Sequence, residues 1–263
     1  HNPKVGCGYH DHITVANIFF STASPRDEDR QKPAYAANGF TDETQLSFVG
    51  HGGEGGLMVL QNYFPAVLRP AVRMLQGVVN LLGWNHCRSP FTLGGLFLTL
   101  SRCDGRSRLA LKSKHPQTRL QVLGNAVTEG DLQRLNNAIP TLIRLRERMF
   151  YTKDTPWRPV WLVDRIVQLF NMRIPSFTSD EQRLTWLKDN LATLWHPAGG
   201  CCVGDVTDPN LRVRGTSNIH VCGAAAFPQL PQANPQASCY AMGYRLGEVI
   251  SNSDRGDSRD ISQ

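Results

Sequence analysis

The pattern of apolar and polar residues predicts strands in the first half of the chain. The run from Ile13 to Ser21, ITVANIFFS, is β-branched and aromatic and predicts a strand, and the charged run from Ser24 to Lys32 predicts a loop. Apolar and polar residues also alternate in Phe91 to Arg102 and in Arg108 to Lys112, around the turn Cys103-Asp104-Gly105. This arrangement predicts a hairpin of two antiparallel strands.

Helical periodicity dominates the second half. Apolar residues recur with the helical period in Glu129 to Phe150, Trp157 to Met172 and Ser179 to Leu191. Ser179 and Thr178 are both suited to cap the third of these helices, because acidic residues follow them directly. Strands followed by helices predict an α+β fold, with an antiparallel sheet and helices packed on one face.

The last helix has its own start signal. Asn234 is suited to the N-cap and Pro235 to the first turn, and Gln236 to Ser251 carries an apolar face. The polar tail from Asn252 to Gln263 lacks hydrophobic density, so we expect it to lie at the surface or to be disordered.

A second apolar region, Leu57 to Leu82, lies in a stretch without acidic residues between Glu54 and Asp104. We interpret its helical part as a core helix with basic edges, in preference to a surface for a membrane or a partner protein. Apolar runs fall short of the roughly 20 residues of a spanning helix, so no transmembrane segment is predicted. Peripheral association with a membrane or a complex stays open.

Charge and metal-ligating residues exclude two classes of function. Lys and Arg number 28 against 22 Asp and Glu, giving a net charge of +6, but they form no block, so nucleic-acid binding is not predicted. The seven cysteines lack paired zinc spacing and do not assign a compartment. His10 and His12 would share one face of a strand, but no third ligand is near them, so we predict no metal site.

The segment Gly50 to Gly55 satisfies the G-x-G-x-x-G pattern of dinucleotide sites. Only a short apolar stub precedes it, and Pro65 interrupts the helix that should follow. No acidic residue lies near twenty positions on to bind a ribose hydroxyl. We therefore interpret it as a flexible loop and not as a phosphate site.

Two sets of motifs resemble the glucose-methanol-choline (GMC) oxidoreductase family. Val5 to His12, VGCGYHDH, resembles the family's "VGxxLxDH" signature, with Tyr9 where Leu is usual. A second set resembles the family's C-terminal block in order and spacing: LWHPAGGC at 194–201, VTDPNLRVRG at 206–215, NIHV at 218–221, AFP at 226–228 and ANPQA at 233–237. Ser101 to Leu109 and Gly130 to Leu132 resemble a strand turn and a helix start between them.

The resemblance implies an FAD-dependent enzyme that oxidises a CH–OH group of a small alcohol or sugar by hydride transfer to flavin. His196 matches the family's catalytic base, and a side chain that titrates near neutrality is suited to accept a hydroxyl proton. Asn234 matches the second catalytic position, where it would hold the same substrate oxygen. The amino end of its helix would stabilise negative charge on the reduced flavin.

The resemblance also implies cofactor-binding residues, namely Gly199, Gly223, Ala224, Pro235 and Gln236. It divides the chain into a family-like opening segment (1–12), a substrate-binding-type domain (13–193), a C-terminal flavin-site segment that completes an α/β FAD-binding domain (194–251) and the polar tail (252–263).

Departures from the family leave alternatives open. Gly200 replaces a Thr of the motif, Cys202-Val203 its Arg-Met, and Gly223 a common Asp. The sequence begins at His1 and lacks the family's N-terminal FAD-binding Rossmann unit, so we expect the FAD to be shared with or supplied by an obligate partner chain. A degenerate accessory subunit that has lost the cofactor, or a piece of a longer single-chain enzyme, are the other hypotheses.

Overall fold

The structure is a computed structural model that describes residues 2–21, 35–41, 43–52, 69–82, 92–115, 117–150 and 174–254. The chain divides into two compact units. The first comprises His1–Ile13, Leu100–Leu132 and Thr193–Gln263, and the second comprises Thr14–Thr99 and Gln133–Ala192. The functional segments predicted from the sequence (1–12, 13–193, 194–251 and 252–263) do not coincide with these compact units, and they stay predictions. The predicted loop from Ser24 to Lys32 and helix from Trp157 to Met172 lie outside the described residues.

The described strands form two sheets, and the pairings whose register is described are antiparallel. One sheet has the order β1-β6-β7 and the other β3-β4-β5-β2-β8. The strands are β1 (Cys7–Tyr9), β2 (Ile13–Ser21), β3 (Tyr35–Phe40), β4 (Thr44–Gly52), β5 (Thr92–Leu100), β6 (Ser107–Ala110), β7 (Gln121–Leu123) and β8 (Ala192–Thr193). Together with the helices below, they confirm the predicted α+β fold.

Strand β2 has the bounds that its composition predicted. It pairs with β5 from Thr14↔Thr99 to Ser21↔Thr92. Val15, Leu96 and Leu98 are fully buried at the centre of this pairing, so the β-branched and aliphatic residues that favour a strand also build the core of the second unit.

The predicted hairpin around Cys103-Asp104-Gly105 is wrong. β5 and β6 lie in different sheets, and β6 pairs with β1 and β7 instead. The physical reason is the buried carboxylate of Asp131, which accepts hydrogen bonds from the backbone N–H groups of Asp104 (2.9 Å) and Gly105 (3.0 Å). The turn is therefore bound to the start of a helix and does not close a two-stranded ribbon.

The described helices are α1 (Arg69–Leu81), α2 (Glu129–Phe150), α3 (Asp180–Asn190) and α4 (Gln236–Asp254). α2 has its predicted bounds and buries a stripe with helical spacing: Leu132, Leu135, Ile139 and Leu142. α3 is capped as predicted by Ser179, whose hydroxyl accepts from the Gln182 N–H. Arg183 of α3 donates to Asn136 of α2, so the two helices are joined.

The interpretation of α1 as a core helix is wrong for its described side chains. Met74, Val78 and Leu81 are exposed, to 73%, 47% and 87%, and Arg69 and Arg73 are exposed beside them. These positions belong to a surface. In the part of the chain that the structure describes, no helix has the length and hydropathy needed to cross a membrane.

The glycine pattern at Gly50 to Gly55 is only partly described. Gly50 to Gly52 form the end of β4, and Gly50 pairs with Tyr35 of β3. The interpretation of the segment as a flexible loop is therefore wrong for these three residues, because they continue strand β4. Gly53 to Gly55 lie outside the described residues.

Candidate active site

The two family-like motif blocks meet within the first unit. The N–H of Gly6 donates to the carbonyl of Gly200 (2.7 Å), and His10 and Ala198 exchange two backbone hydrogen bonds (3.0 and 2.9 Å). The segment around Gly199 thus lies alongside the N-terminal segment as an antiparallel neighbour. Residues nearly two hundred positions apart in sequence are brought into one site.

Gly199 makes this approach possible. Its φ is +83°, and a Cβ at this position would lie 2.1 Å from the carbonyl oxygen of Gly8. Only glycine therefore fits here without a shift of the backbone. Its N–H donates to the carbonyl of Ala224 (3.0 Å), which joins the motif to the 3₁₀ turn Ala224–Ala226.

His10 is fully buried, and both of its ring nitrogens form hydrogen bonds with backbone groups. Its Nδ1 lies 2.8 Å from the carbonyl oxygen of Gly8, and its Nε2 accepts from the N–H of Leu230 at 3.1 Å. Because a carbonyl can only accept, Nδ1 carries the proton and the ring is neutral. Burial lowers the pKa of His10, which agrees with this assignment.

His12 contacts a side chain instead. Its Nδ1 lies 3.0 Å from Nδ1 of His196, and the two rings meet edge to face, with centroids 5.2 Å apart. His12 is 2% exposed and His196 is half-buried. The predicted catalytic residue His196 is therefore one member of a hydrogen-bonded histidine pair.

Asp11 holds the backbone on which His196 lies. One carboxylate oxygen accepts from the N–H of His196 (2.9 Å), and the other accepts from the hydroxyl of Thr193. That hydroxyl oxygen accepts in turn from the N–H of Trp195 (2.8 Å), whose φ of +58° is unusual for a residue with a side chain. Asp11 and Thr193 thus stabilise a strained turn that presents His196.

The surroundings of the pair favour neutral rings. Burial lowers the pKa of His196, and Asp11 acts in the opposite direction. Burial also lowers the pKa of His12, and His196 lowers it further, whereas Asp11 and the carbonyls of Pro231 and Ser101 raise it. A neutral His196 has a lone pair to accept a proton, as a general base requires.

The predicted flavin-side residues lie on the turn before Ala224 and at the start of α4. Gly223 and Ala224 are half-buried, and the N–H of Gly223 donates to Sδ of Met242 in α4 (3.3 Å). Asn234 is exposed and makes no hydrogen bond with the described residues, so it neither caps α4 nor bonds to His196. The first backbone bond of α4 runs from Cys239 to the carbonyl of Pro235 (2.9 Å).

Two departures from the family motif have backbones that favour glycine. Gly200 has φ of +92° and Gly223 has φ of +88° with ψ of −158°, a region essentially limited to glycine. A Cβ on Gly223 would meet no atom within 4 Å. The turn therefore has open space at Gly223, next to its contact with Met242 of α4.

Sequence reasoning missed Asp11, His12 and Thr193 as site residues. Asp11 and His12 belong to the quoted N-terminal motif, which was the available signal, but nothing local indicates that they contact His196. Among the described residues, no group of three or more His, Cys, Asp or Glu side chains that would hold a metal ion is found.

Comparison with known proteins identifies the family of the chain. Residues 104–243, more than half of the chain, match the family model described as GMC oxidoreductase. The chain therefore belongs to the GMC oxidoreductase family. It is 29% identical over 154 residues to an oxygen-dependent choline dehydrogenase from Chromohalobacter salexigens, covering 57% of this chain and 25% of that protein. It is 33% identical over 98 residues to the sinalpyl alcohol oxidase Nec3 from Nesocodon mauritianus, covering 37% and 18%.

Solved structures share the fold. A pyridoxine 4-oxidase from Mesorbium loti superposes with a TM-score of 0.62 at 17% identity, covering 95% of this chain and 44% of that one. A formate oxidase from Aspergillus oryzae RIB40 superposes with a TM-score of 0.60 at 16% identity, covering 97% and 48%. The chain thus spans about half the length of these solved relatives.

Proposed function

We propose that this chain forms the substrate side of an FAD-dependent oxidoreductase that oxidises a CH–OH group, with His196 as the catalytic base. The observation that carries the proposal is the hydrogen-bonded pair of His196 and His12, in which His196 lies on a turn bound by Asp11. An ordinary surface histidine needs no such support. The substrate class, a small alcohol or sugar, comes from the family.

The proposed chemistry requires one proton acceptor from this chain. As the alcohol becomes a carbonyl, the O–H proton passes to a ring nitrogen of His196, and Asn234, exposed at the start of α4, would hold the substrate oxygen by a hydrogen bond. FAD, when bound, would accept the hydride from the substrate carbon. General base catalysis of this kind contributes about 10²- to 10⁴-fold to rate.

Residues at the amino end of α4 would hold the cofactor. Gly223 faces open space. Ala224 begins the 3₁₀ turn that follows it, Pro235 and Gln236 lie at the start of α4, and buried Gly199 donates its N–H to the carbonyl of Ala224. The amino end of a 19-residue helix favours negative charge near it. These features fit a flavin ring, whereas the nucleotide part of FAD would be held elsewhere.

The proposal includes a partner polypeptide that carries the nucleotide-binding portion. Its support is the surface of α4, where Tyr240, Tyr244 and Ile250 are exposed to 70%, 74% and 42%. Native purification with intact-mass analysis and a flavin absorbance scan tests this part. We expect a copurifying chain and a flavin spectrum; FAD bound by one longer chain alone would refute the partner and leave the oxidoreductase intact.

A substitution tests the base. In the flavin-loaded assembly, we expect His196→Ala to slow anaerobic flavin reduction by a CH–OH substrate about 10²- to 10⁴-fold. The matched control is His115→Ala, at an exposed histidine outside the site, which should leave the rate unchanged. A rate unaffected by His196→Ala would contradict the base assignment.

A degenerate accessory subunit is the second candidate. The observation that favours it is Gly223, which stands where an Asp is common in the family, together with Asn234 lacking a hydrogen-bond partner among the described residues. A purified native assembly without flavin absorbance would support this candidate. Flavin reduction that depends on His196 would exclude it.

A further inference from the structure

We propose that His12 is a positioning residue that keeps the proton of neutral His196 on Nδ1, so that Nε2 of His196 is the atom that accepts the hydroxyl proton. This inference deepens the proposed function and rests on it. It concerns a residue that the family motif contains but to which the sequence assigned no role.

The contact between the rings requires opposite roles. Two nitrogens 3.0 Å apart form a hydrogen bond only when one carries a proton and the other a lone pair. If His196 donates from Nδ1, its Nε2 has the lone pair and can act as a base. If His12 donates instead, neutral His196 has its proton on Nε2 and cannot accept another there.

The surroundings of His12 favour the first arrangement. Nε2 of His12 is buried and makes no hydrogen bond of regular geometry, but the carbonyls of Ser101 and Pro231 act on the ring and raise its pKa. Carbonyl oxygens only accept, so an N–H beside them is favoured over a lone pair. With its proton on Nε2, neutral His12 offers a lone pair at Nδ1 to His196.

The pair also retains the transferred proton on the correct ring. When the substrate O–H bond breaks and an N–H bond forms at Nε2 of His196, the resulting cation donates from Nδ1 to His12, a stronger charge-assisted bond. Burial and the neighbouring His196 both lower the pKa of His12, which disfavours a second positive charge on the His12 ring. Asp11, which binds the N–H of His196, offsets part of the positive charge.

The tautomer is measurable without flavin or substrate. Ring-¹⁵N histidine labelling of the chain, with long-range ¹H–¹⁵N spectra at neutral pH or above, distinguishes a protonated from an unprotonated ring nitrogen. We expect His196 to be protonated on Nδ1 and His12 on Nε2, with exposed His115 as the internal reference. A wild-type His196 protonated on Nε2 would overturn the inference.

Two substitutions separate positioning from folding. His12→Asn places an amide oxygen near the position of Nδ1 of His12, so His196 should keep its proton on Nδ1. His12→Leu offers no acceptor, so His196 should become a mixture of the two neutral tautomers. His10→Gln is the control for loss of a buried histidine, and it should leave the His196 tautomer unchanged. If His12→Leu does not fold, the wild-type and His12→Asn spectra still decide the assignment.

Kinetics in the flavin-loaded assembly distinguish failure of this inference from failure of the proposed function. In His12→Leu, loss of the Nδ1-protonated tautomer of His196 should lower kcat about tenfold or more, with a smaller change in KM. In His12→Asn, most of the wild-type kcat should be retained. An unchanged kcat in His12→Leu would overturn the inference even where His196→Ala abolishes turnover. If His196→Ala is also without effect, the base assignment itself fails, whatever tautomer is found.

Discussion

The histidine side and the flavin side of the first unit are built differently, although the same motif block pointed to both. On the histidine side, Asp11 and His12 are each hydrogen-bonded to His196. On the flavin side, Asn234 is exposed without a described hydrogen bond. Gln236 is also exposed, and its side chain donates to Tyr240 in the next turn of the same helix.

This difference shows which interactions the chain completes by itself. The base and its supporting residues are preorganised, which a proton transfer requires. On the flavin side, the Asn234 side chain is exposed, and the space in front of Gly223 is open, as on a surface that is completed by a ligand or a partner. Removing a contact should therefore destabilise the histidine side, whereas on the flavin side only substitutions that strain the backbone should lower stability.

The largest expected effect compares two glycines. Gly199→Ala places a Cβ 2.1 Å from the Gly8 carbonyl, so we expect it to lower the free energy of unfolding by about 3 kcal/mol or more. Gly223→Ala has a similar φ but open space, and should cost only the backbone strain of about 1–3 kcal/mol. Urea denaturation of both variants measures the difference. Equal losses would show that the contact between Gly199 and Gly8 is not tightly packed.

A smaller effect compares Asp11 with Asn234. Asp11→Ala leaves the N–H of His196 and the Thr193 hydroxyl without their acceptor, which should cost about 1–3 kcal/mol and accelerate hydrogen exchange at the His196 amide. Asn234→Ala removes no described bond and should change stability by less than about 0.5 kcal/mol. Asp11→Asn, which retains one acceptor, should fall between them. Faster hydrogen exchange at the His196 amide in Asn234→Ala would contradict the view that Asn234 makes no contact that stabilises the histidine side.

The smallest expected effect is a pH dependence confined to the histidine side. His10, His12 and His196 all have a lowered pKa in the folded chain, chiefly through burial. As the pH falls below about 6.5, the unfolded chain binds protons that these folded rings do not, so stability is lost on acidification. Asp11 opposes the trend by raising the pKa of each ring.

Urea midpoints measured from neutral to mildly acidic pH test this prediction. In the variant His12→Asn, the urea midpoint should depend less steeply on pH than in the wild type, because one histidine with a lowered pKa has been removed. A midpoint that rises on acidification would contradict the neutral assignment of the buried rings.

Local sequence patterns correctly predicted the strand, the helix and the helix cap that depend on interactions between residues close in sequence. The strand Ile13–Ser21, the helix Glu129–Phe150 and the cap at Ser179 follow from composition, period and one short-range hydrogen bond, and the structure confirms them. The hairpin and the cap at Asn234 were wrong. In the first case a buried carboxylate 26 residues away binds the turn, and in the second the helix begins with the Pro235 carbonyl.

The sequence by itself determined the family, the α+β class and the identity of His196 as a candidate base, because short motifs preserve the order and spacing of residues. Only the tertiary structure decided that His12 and not His10 contacts His196, although both lie in the same motif two residues apart. The reason is the packing of the N-terminal segment against Ala198 and Gly199. That packing turns His10 toward backbone groups and His12 toward a ring 184 residues further along the chain.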